Sequence, residues 1–543
     1  MSLPDFLAQI AGAMEALTAV LLVVILASSL DDAFLDVNYW VRRLRRPRGW
    51  PVRPHASAQA LRALPEVPMA IMVPAWHESD VIAAMLDNLI RRQEYDDYVV
   101  FVGTYPNDPQ TIAEVERMAA LHPRVRRVDV GHPGPTCKAD CLNAIVEEIF
   151  RHERVAKRKF HGIVMHDSED VLHSLELRYF SAALAHFDMV QIPVVALERG
   201  VHALVAGTYM DEFAESHAKE MLVREAMCGS IPSAGVGTCF SRAAIRALWD
   251  RSEGEPYRTD SLTEDYEIGM RLAELGLRSS FEVVDIVEDG PGAPSQALVP
   301  ETERLLSVRE FFPASFRAAY RQKARWILGI GLQSWEQMPM RGRSAGDIYM
   351  MLHDRKGVVT AFVPPVAYLI LLYAMLLEGA TAADLIPAPS GGLLGASAAW
   401  MALVYVNGSL LAVRCVQRAY FTTSIYGWKQ GIAAIPRMVV GNFVNCMAAA
   451  RAWRLYLVHR LARRPLAWEK TAHQFPDLPE PEGMPAFAAV PLSAGRPALA
   501  LVPGSAPPGR PASHPLPHMP RRRVPHASAA AEPDLGPQRI PHP

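Results

Sequence analysis

The chain has 543 residues, 50% of them hydrophobic and 21% charged, with a formal net charge of −2. Its mean hydropathy of +0.06 is high for a plain soluble enzyme and low for a many-pass transporter. The near-zero charge removes a global case for nucleic-acid binding. Six cysteines are too sparse for a disulfide framework, and Cys137 and Cys141 have no second pair to complete a zinc site.

Taken in chain order, the first element is an apolar stretch at residues 10–30, about the length that crosses a bilayer. No Lys or Arg precedes Arg42, so the basic start of a cleaved signal peptide is missing. Residues 1–41 are therefore read as a retained N-terminal transmembrane anchor. Arg42, Arg43, Arg45, Arg46 and Arg48 follow it closely, which places that side in the cytoplasm by the positive-inside rule.

Residues 42–345 then alternate strand and helix patterns. Short apolar runs at 69–74, 98–104 and 162–166, with an alternating run at 124–130, are separated by amphipathic stretches. This predicts an α/β domain with a mostly parallel sheet covered on both faces. In such sheets ligands bind beyond the carboxyl ends of the strands. The loops there are unusually acidic: PAWHESD at 74–80, YPNDPQT at 105–111 with Asp108, and HDSED at 166–170. Thr263-Glu264-Asp265 precedes a further amphipathic helix. Any one of these carboxylates could be a solvated turn residue, and Asp108 or Asp265 could simply cap the following helix. Four such loops in one domain point to chemistry.

Beyond the domain, residues 346–475 are read as membrane-associated. Charge-free stretches at 357–377 and 392–412 are predicted spans, with Arg355 and Lys356 before the first and Arg414 and Arg418 after the second. A fourth apolar stretch, about 431–453, carries Arg437, Asn442 and Asn445 and is read as a helix lying in the cytoplasmic interface. From residue 476 to 543 the chain holds 18 of its 44 prolines, and this tail is expected to be disordered.

The motifs VPAWHE (73–78), Asp108, KADCLN (138–143), DSED (167–170), TED (263–265) and QKARW (322–326) together resemble inverting family 2 glycosyltransferases of GT-A fold. They are similar in particular to the membrane-embedded, processive type that includes cellulose and hyaluronan synthases. GTYPND (103–108), the stretch 437–456 and WEKTAHQF (468–475) further resemble the bacterial phage-adsorption protein B branch. Members of that branch often carry an extra C-terminal nucleotide-sensing domain, where this chain has the proline-rich tail.

The resemblance implies a Rossmann-like mixed sheet and transfer of a sugar from a nucleotide diphosphate donor, a UDP-sugar, to a polysaccharide or lipid-linked acceptor. It makes Asp265 the catalytic base, Asp167 a donor and metal contact, and Asp170 a metal ligand for Mg2+ or Mn2+, with Glu169 left open between these roles. Glu78, Asp108 and Lys138 fall to the donor site, with Asp108 at the uracil end, and Glu264, beside the base, is a further substrate-binding residue. Gln322, Arg325 and Trp326 fit Q-x-x-R-W, with Arg325 at the diphosphate and Trp326 as an acceptor platform. The expected setting is a multi-pass protein of a bacterial inner membrane with a cytoplasmic catalytic domain, making an exopolysaccharide with an outer-membrane or periplasmic export partner. The competing readings are a single-sugar transferase acting on polyprenyl phosphate, and an inactive envelope scaffold or phage-adsorption component.

Overall fold

The computed structural model describes residues 3–45, 54–289, 301–384, 398–462 and 473–476. Most of the tail read as disordered, and residues 385–397, which include the start of the third expected span, lie outside the described residues.

A seven-stranded sheet forms the centre of the α/β region. Its order is Val125–Asp129, Tyr98–Thr104, Met69–Pro74, Gly162–Met165, Thr238–Ser241, Met189–Gln191 and Ser279–Phe281. All neighbours are parallel except around Thr238–Ser241, which runs against both of its partners. This is the mixed sheet expected of a GT-A fold.

The strand Met69–Pro74 is buried at every position, which explains its unbroken apolar run. Met69, Ile71 and Val73 pack on one face under the helices Ile82–Arg92 and Pro109–Leu121. Ala70 and Met72 pack on the other under Lys138–Ala156 and Arg242–Arg251. Successive side chains alternate across the pleat, so one short strand joins two hydrophobic layers. Val194–Ala196 and Val308–Glu310 form a separate small parallel pair.

Among the described residues, four helices are long and apolar enough to cross a membrane: Ala13–Arg45 within Leu3–Arg45, Val363–Ala382, Ala398–Tyr426 and Trp428–Ala462. The sequence suggested three. The fourth, taken as an interfacial helix at about 431–453, is a continuous helix of 35 residues. One of its faces docks on the α/β region: Arg437 pairs with Asp211 at 2.9 Å, and Asn445 Oδ1 accepts from Lys323 Nζ at 3.0 Å.

The first helix also runs past its apolar stretch. Its Asp31 accepts from Lys356 at 2.5 Å and faces His353 Nδ1 at 2.7 Å, while Asp36 accepts from Lys219 at 2.5 Å. Asp31, Asp32 and His353 could geometrically hold a metal ion. Lys356 and Arg414 already pair with those two carboxylates, so the cluster works as an ion-pair clamp between helices.

Candidate active site

The carboxyl ends of Met69–Pro74 and Gly162–Met165 open into the loops that carry Glu78 and Asp167-Ser168-Glu169. Because Thr238–Ser241 runs the other way, its preceding loop, residues 233–237, arrives at the same edge. One cavity there is lined by Glu78, Lys138, Asp167 and Glu169, and also by Glu264, Asp265, Gln322, Arg325 and Trp326. Segments separated by some 250 positions thus meet in one concave surface.

Lys138, the first residue of its helix, places Nζ 2.5 Å from Asp167 Oδ1 and donates to Gly235 O at 3.2 Å. Burial works against its charge, but Asp167, Glu264 and Asp265 together hold the ammonium above its usual range. Burial pushes the Glu264 carboxyl up to about 8, with the neighbouring Asp265 adding to the rise. Asp265 is also raised by burial, against the pull of Lys138. Its Oδ1 accepts from Tyr266 N at 2.8 Å. A raised carboxylate beside a fixed cation is a common setting for a general base.

Two expected site residues do not line the cavity. Asp108 caps the helix Pro109–Leu121, accepting from Thr111 N at 3.3 Å and from His77 N at 2.6 Å. Only 2% of it is exposed, and its visible work is to hold the loop that presents Glu78. Asp170 turns the other way: its Oδ2 lies 2.9 Å from His166 Nδ1 and accepts from Asp167 N at 3.0 Å. Glu169, which the sequence left undecided, faces the cavity instead. Burial raises its carboxyl to about 7, partly offset by His473.

Other cavity residues were not singled out from sequence. His473 sits with Nδ1 3.1 Å from both Glu78 Oε1 and Glu169 Oε2. Burial opposes its charge, and the two carboxylates carry it up to about 10. Its signal was WEKTAHQF, which nothing in the sequence tied to the strand-end loops. Glu310, at the end of Val308–Glu310, is raised well above its usual value by burial and by Asp170 and Glu169. Phe213 and Phe312 stack at 4.7 Å, and Trp326 meets the edges of Tyr209 and Phe213 at 6.1 and 6.2 Å. Phe213, Phe312 and Trp326 give the cavity an aromatic wall, with Tyr209 buried behind it.

Residues 65–329 match the model of the family described as glycosyltransferase like family 2. The chain carries a family 2 glycosyltransferase domain. Over 468 residues it is 40% identical to the bacteriophage adsorption protein B of Escherichia coli K12 and to the bacteriophage N4 adsorption protein B of Escherichia coli O157:H7. Each match takes in 86% of this chain and 63% of the relative, so the chain spans less than two thirds of their length. Among solved structures, the mannosyltransferase PcManGT of Pyrobaculum calidifontis, in complex with GDP-Man and Mn2+, is 18% identical with a TM-score of 0.45. That superposition covers 79% of this chain and 99% of the other. At that level it carries no weight beside the family match.

Within the glycosyltransferase domain, Gly235 has φ +80°, and a Cβ there would lie 2.4 Å from Asp265 Oδ2. Gly235→Ala is therefore expected to displace the Asp265 carboxylate and strain the turn. A misplacement of about 1 Å can cost about 10²-fold in rate. Turnover should fall by that order while donor binding changes little, as read by steady-state kinetics beside equilibrium binding of the donor.

Proposed function

We propose that this chain is an inverting glycosyltransferase that moves a sugar from a UDP-sugar to a growing polysaccharide at the cytoplasmic face of a bacterial inner membrane. The observation that carries this reading is the convergence of Lys138–Asp167, Glu264–Asp265 and Gln322–Arg325–Trp326 on one cavity. Asp265 takes the proton of the acceptor hydroxyl as its oxygen bonds to the anomeric carbon. The bond from that carbon to the diphosphate oxygen breaks on the opposite side. With Asp265 acting as base toward the acceptor, the proposed transfer is a single displacement with inversion. Arg325, a planar cation, pairs with the diphosphate, and Lys138 adds a second positive charge.

Asp167 and Glu169 fit a divalent cation. Both are oxygen donors on the cavity wall, and the buried Glu169 Oε2 has His473 Nδ1 beside it at 3.1 Å. Mg2+ or Mn2+ bound there would neutralise the leaving diphosphate. Treatment with EDTA is expected to abolish transfer, and Mn2+ or Mg2+ to restore it, in a radiolabelled-donor assay.

The acceptor reading rests on a second cavity of about 730 Å3 among the four membrane-capable helices, which meets the catalytic cavity at Trp326. Lys323, Glu212, Asn442 and Asn445 line its inner end. We read the fourth helix as interfacial, since Arg437 and Asn445 tie it to the catalytic domain. The relatives are named for bacteriophage adsorption, and the polymer is proposed to contribute to a phage-binding surface.

The deciding experiment incubates purified protein in detergent with a panel of labelled UDP- and GDP-sugars, then sizes the product. A polymer supports the proposal. A single-sugar polyprenyl phosphate product would move the assignment to the lipid-linked class, and absence of both transfer and donor hydrolysis would move it to a scaffold.

Lys138 also predicts a pH effect. Its charge favours ionisation of Glu264 and Asp265, so Lys138→Met should move the ascending limb of the kcat–pH profile to higher pH. An unmoved or lowered limb would contradict the base assignment.

A further inference from the structure

We propose that His166 and Glu176 form a positioning pair that sets the turn 167–170 from behind the cavity. His166 directly follows the strand Gly162–Met165 and is 0% exposed. Its backbone N donates to Met72 O at 3.1 Å, continuing the strand pairing. Its ring is held at both ends, Nδ1 at 2.9 Å from Asp170 Oδ2 and Nε2 at 2.7 Å from Glu176 Oε1.

Glu176 opens the helix Glu176–Ala183 and is also 0% exposed. The chain of contacts runs Glu176, His166, Asp170 and then Asp167 N, which donates to Asp170 Oδ2 at 3.0 Å. The turn is pinned a second time where Ser168 Oγ donates to Pro74 O at 3.2 Å. Asp167 and Glu169 thereby project into the cavity while Asp170 stays behind them.

Three buried polar side chains here are costly for stability, since apolar residues of similar volume would often serve as well. The arrangement also leaves Asp170 Oδ1 and Glu176 Oε2 buried with no hydrogen-bond partner among the described residues. What the trio supplies is orientation: with both ring nitrogens engaged, the imidazole has one rotational setting, and so does the carboxylate it touches. Groups that orient metal-facing residues from outside typically change metal affinity by about 10–100-fold when removed.

This inference rests on the metal-assisted transfer proposed above, and its test reads metal binding directly. Mn2+ affinity of the full chain in detergent is measured by electron paramagnetic resonance, alongside donor KM and kcat. His166→Phe, His166→Gln and Glu176→Gln are compared with Asp170→Asn and Glu169→Gln. The pair predicts Mn2+ binding weakened by about 10–100-fold in His166→Phe, a raised donor KM, and partial recovery in His166→Gln. Asp170→Asn, which keeps an acceptor for Asp167 N, should bind Mn2+ nearly as the unaltered protein does, and Glu169→Gln should not bind it.

Equal loss in Asp170→Asn and Glu169→Gln would make Asp170 a ligand and overturn the proposal. Unchanged Mn2+ affinity and KM in His166→Gln and Glu176→Gln, with only a lowered Tm, would also overturn it, and these two variants carry the test if His166→Phe fails to fold. Failure of the unaltered protein to bind Mn2+ or Mg2+ would instead count against the metal-assisted reading itself.

Discussion

Asp265→Asn is expected to lower kcat by about 10²–10⁴-fold, the usual contribution of a positioned general base, while donor affinity stays near that of the unaltered enzyme. Asparagine keeps the shape of the side chain, and its oxygen can still accept from Tyr266 N, which bonds Oδ1 at 2.8 Å in the native site. What it lacks is a site for the acceptor's proton. The measurement is single-turnover transfer with saturating donor, paired with donor binding by calorimetry. Retention of more than about a tenth of the rate would sink the assignment, since a base lost at this position cannot cost so little.

The same pair of carboxylates links activity to stability with opposite signs. Glu264 is raised from its usual value near 4.5 to about 8, chiefly by burial and then by Asp265. A carboxyl raised on folding binds its proton more tightly in the folded state. Its contribution to stability is therefore greatest at low pH and is lost as pH rises through that interval. The base, Asp265, needs the ionised form, so activity gains as pH rises. Comparing Tm against pH for the unaltered protein and Glu264→Gln should show a steeper decline in the former between about pH 5 and 8. A steeper decline in the variant would contradict the burial argument.

Why some of this was legible in the sequence follows from how each group is held. The strands Met69–Pro74 and Tyr98–Thr104 were read to the residue, because a strand buried on both faces leaves a continuous apolar run between polar loops. Glu264-Asp265 and Gln322-Arg325-Trp326 were read with them, because each lies at or near one end of a helix that aims several side chains together. Asp108 illustrates the opposite case. An acid followed by proline at a strand end serves equally as ligand or helix cap, and here the cap is what the structure shows. Asp170 was drawn inward by His166, whose ring lies four positions earlier and across a turn that no periodicity describes. Phe213, Phe312, Glu310 and His473 come from segments brought together only by the tertiary fold. The fourth long helix runs beyond the stretch read at about 431–453 at both ends, from Trp428 to Ala462. In the structure Arg437 and Asn445 face partners on the catalytic domain.

That docking gives the largest expected effect on stability. Arg437 is 0% exposed, and its guanidinium donates to Asp211 Oδ1 at 2.9 Å, to Gln430 Oε1 at 2.9 Å and to Gln430 O at 2.8 Å. The fit is close enough that a Cβ on Gly207 would lie 2.4 Å from its Cδ. Arg437→Met would remove the cation and leave Asp211, itself 2% exposed, as a buried acid whose remaining short contact is Thr422 Oγ1 at 3.2 Å. Breaking a buried pair in this way costs about 3–5 kcal/mol. Burial already holds the Asp211 carboxyl up at about 6 against the pull of Arg437 and Arg418. Without Arg437 it rises further, so the folded variant keeps the proton and the deficit is smallest at low pH. Tm measured at pH 5 and pH 8 should show the loss growing with pH, and Asp211→Asn in the same chain should recover part of it at pH 8. A deficit that shrinks with pH, or a double variant no more stable than Arg437→Met, would mean that Arg437 holds the helix by packing alone. Because Asn445 on that helix bonds Lys323, two residues from Arg325, loosening it should also raise the acceptor KM more than the donor KM, which ties the membrane-facing helix to the half of the reaction that occurs beside it.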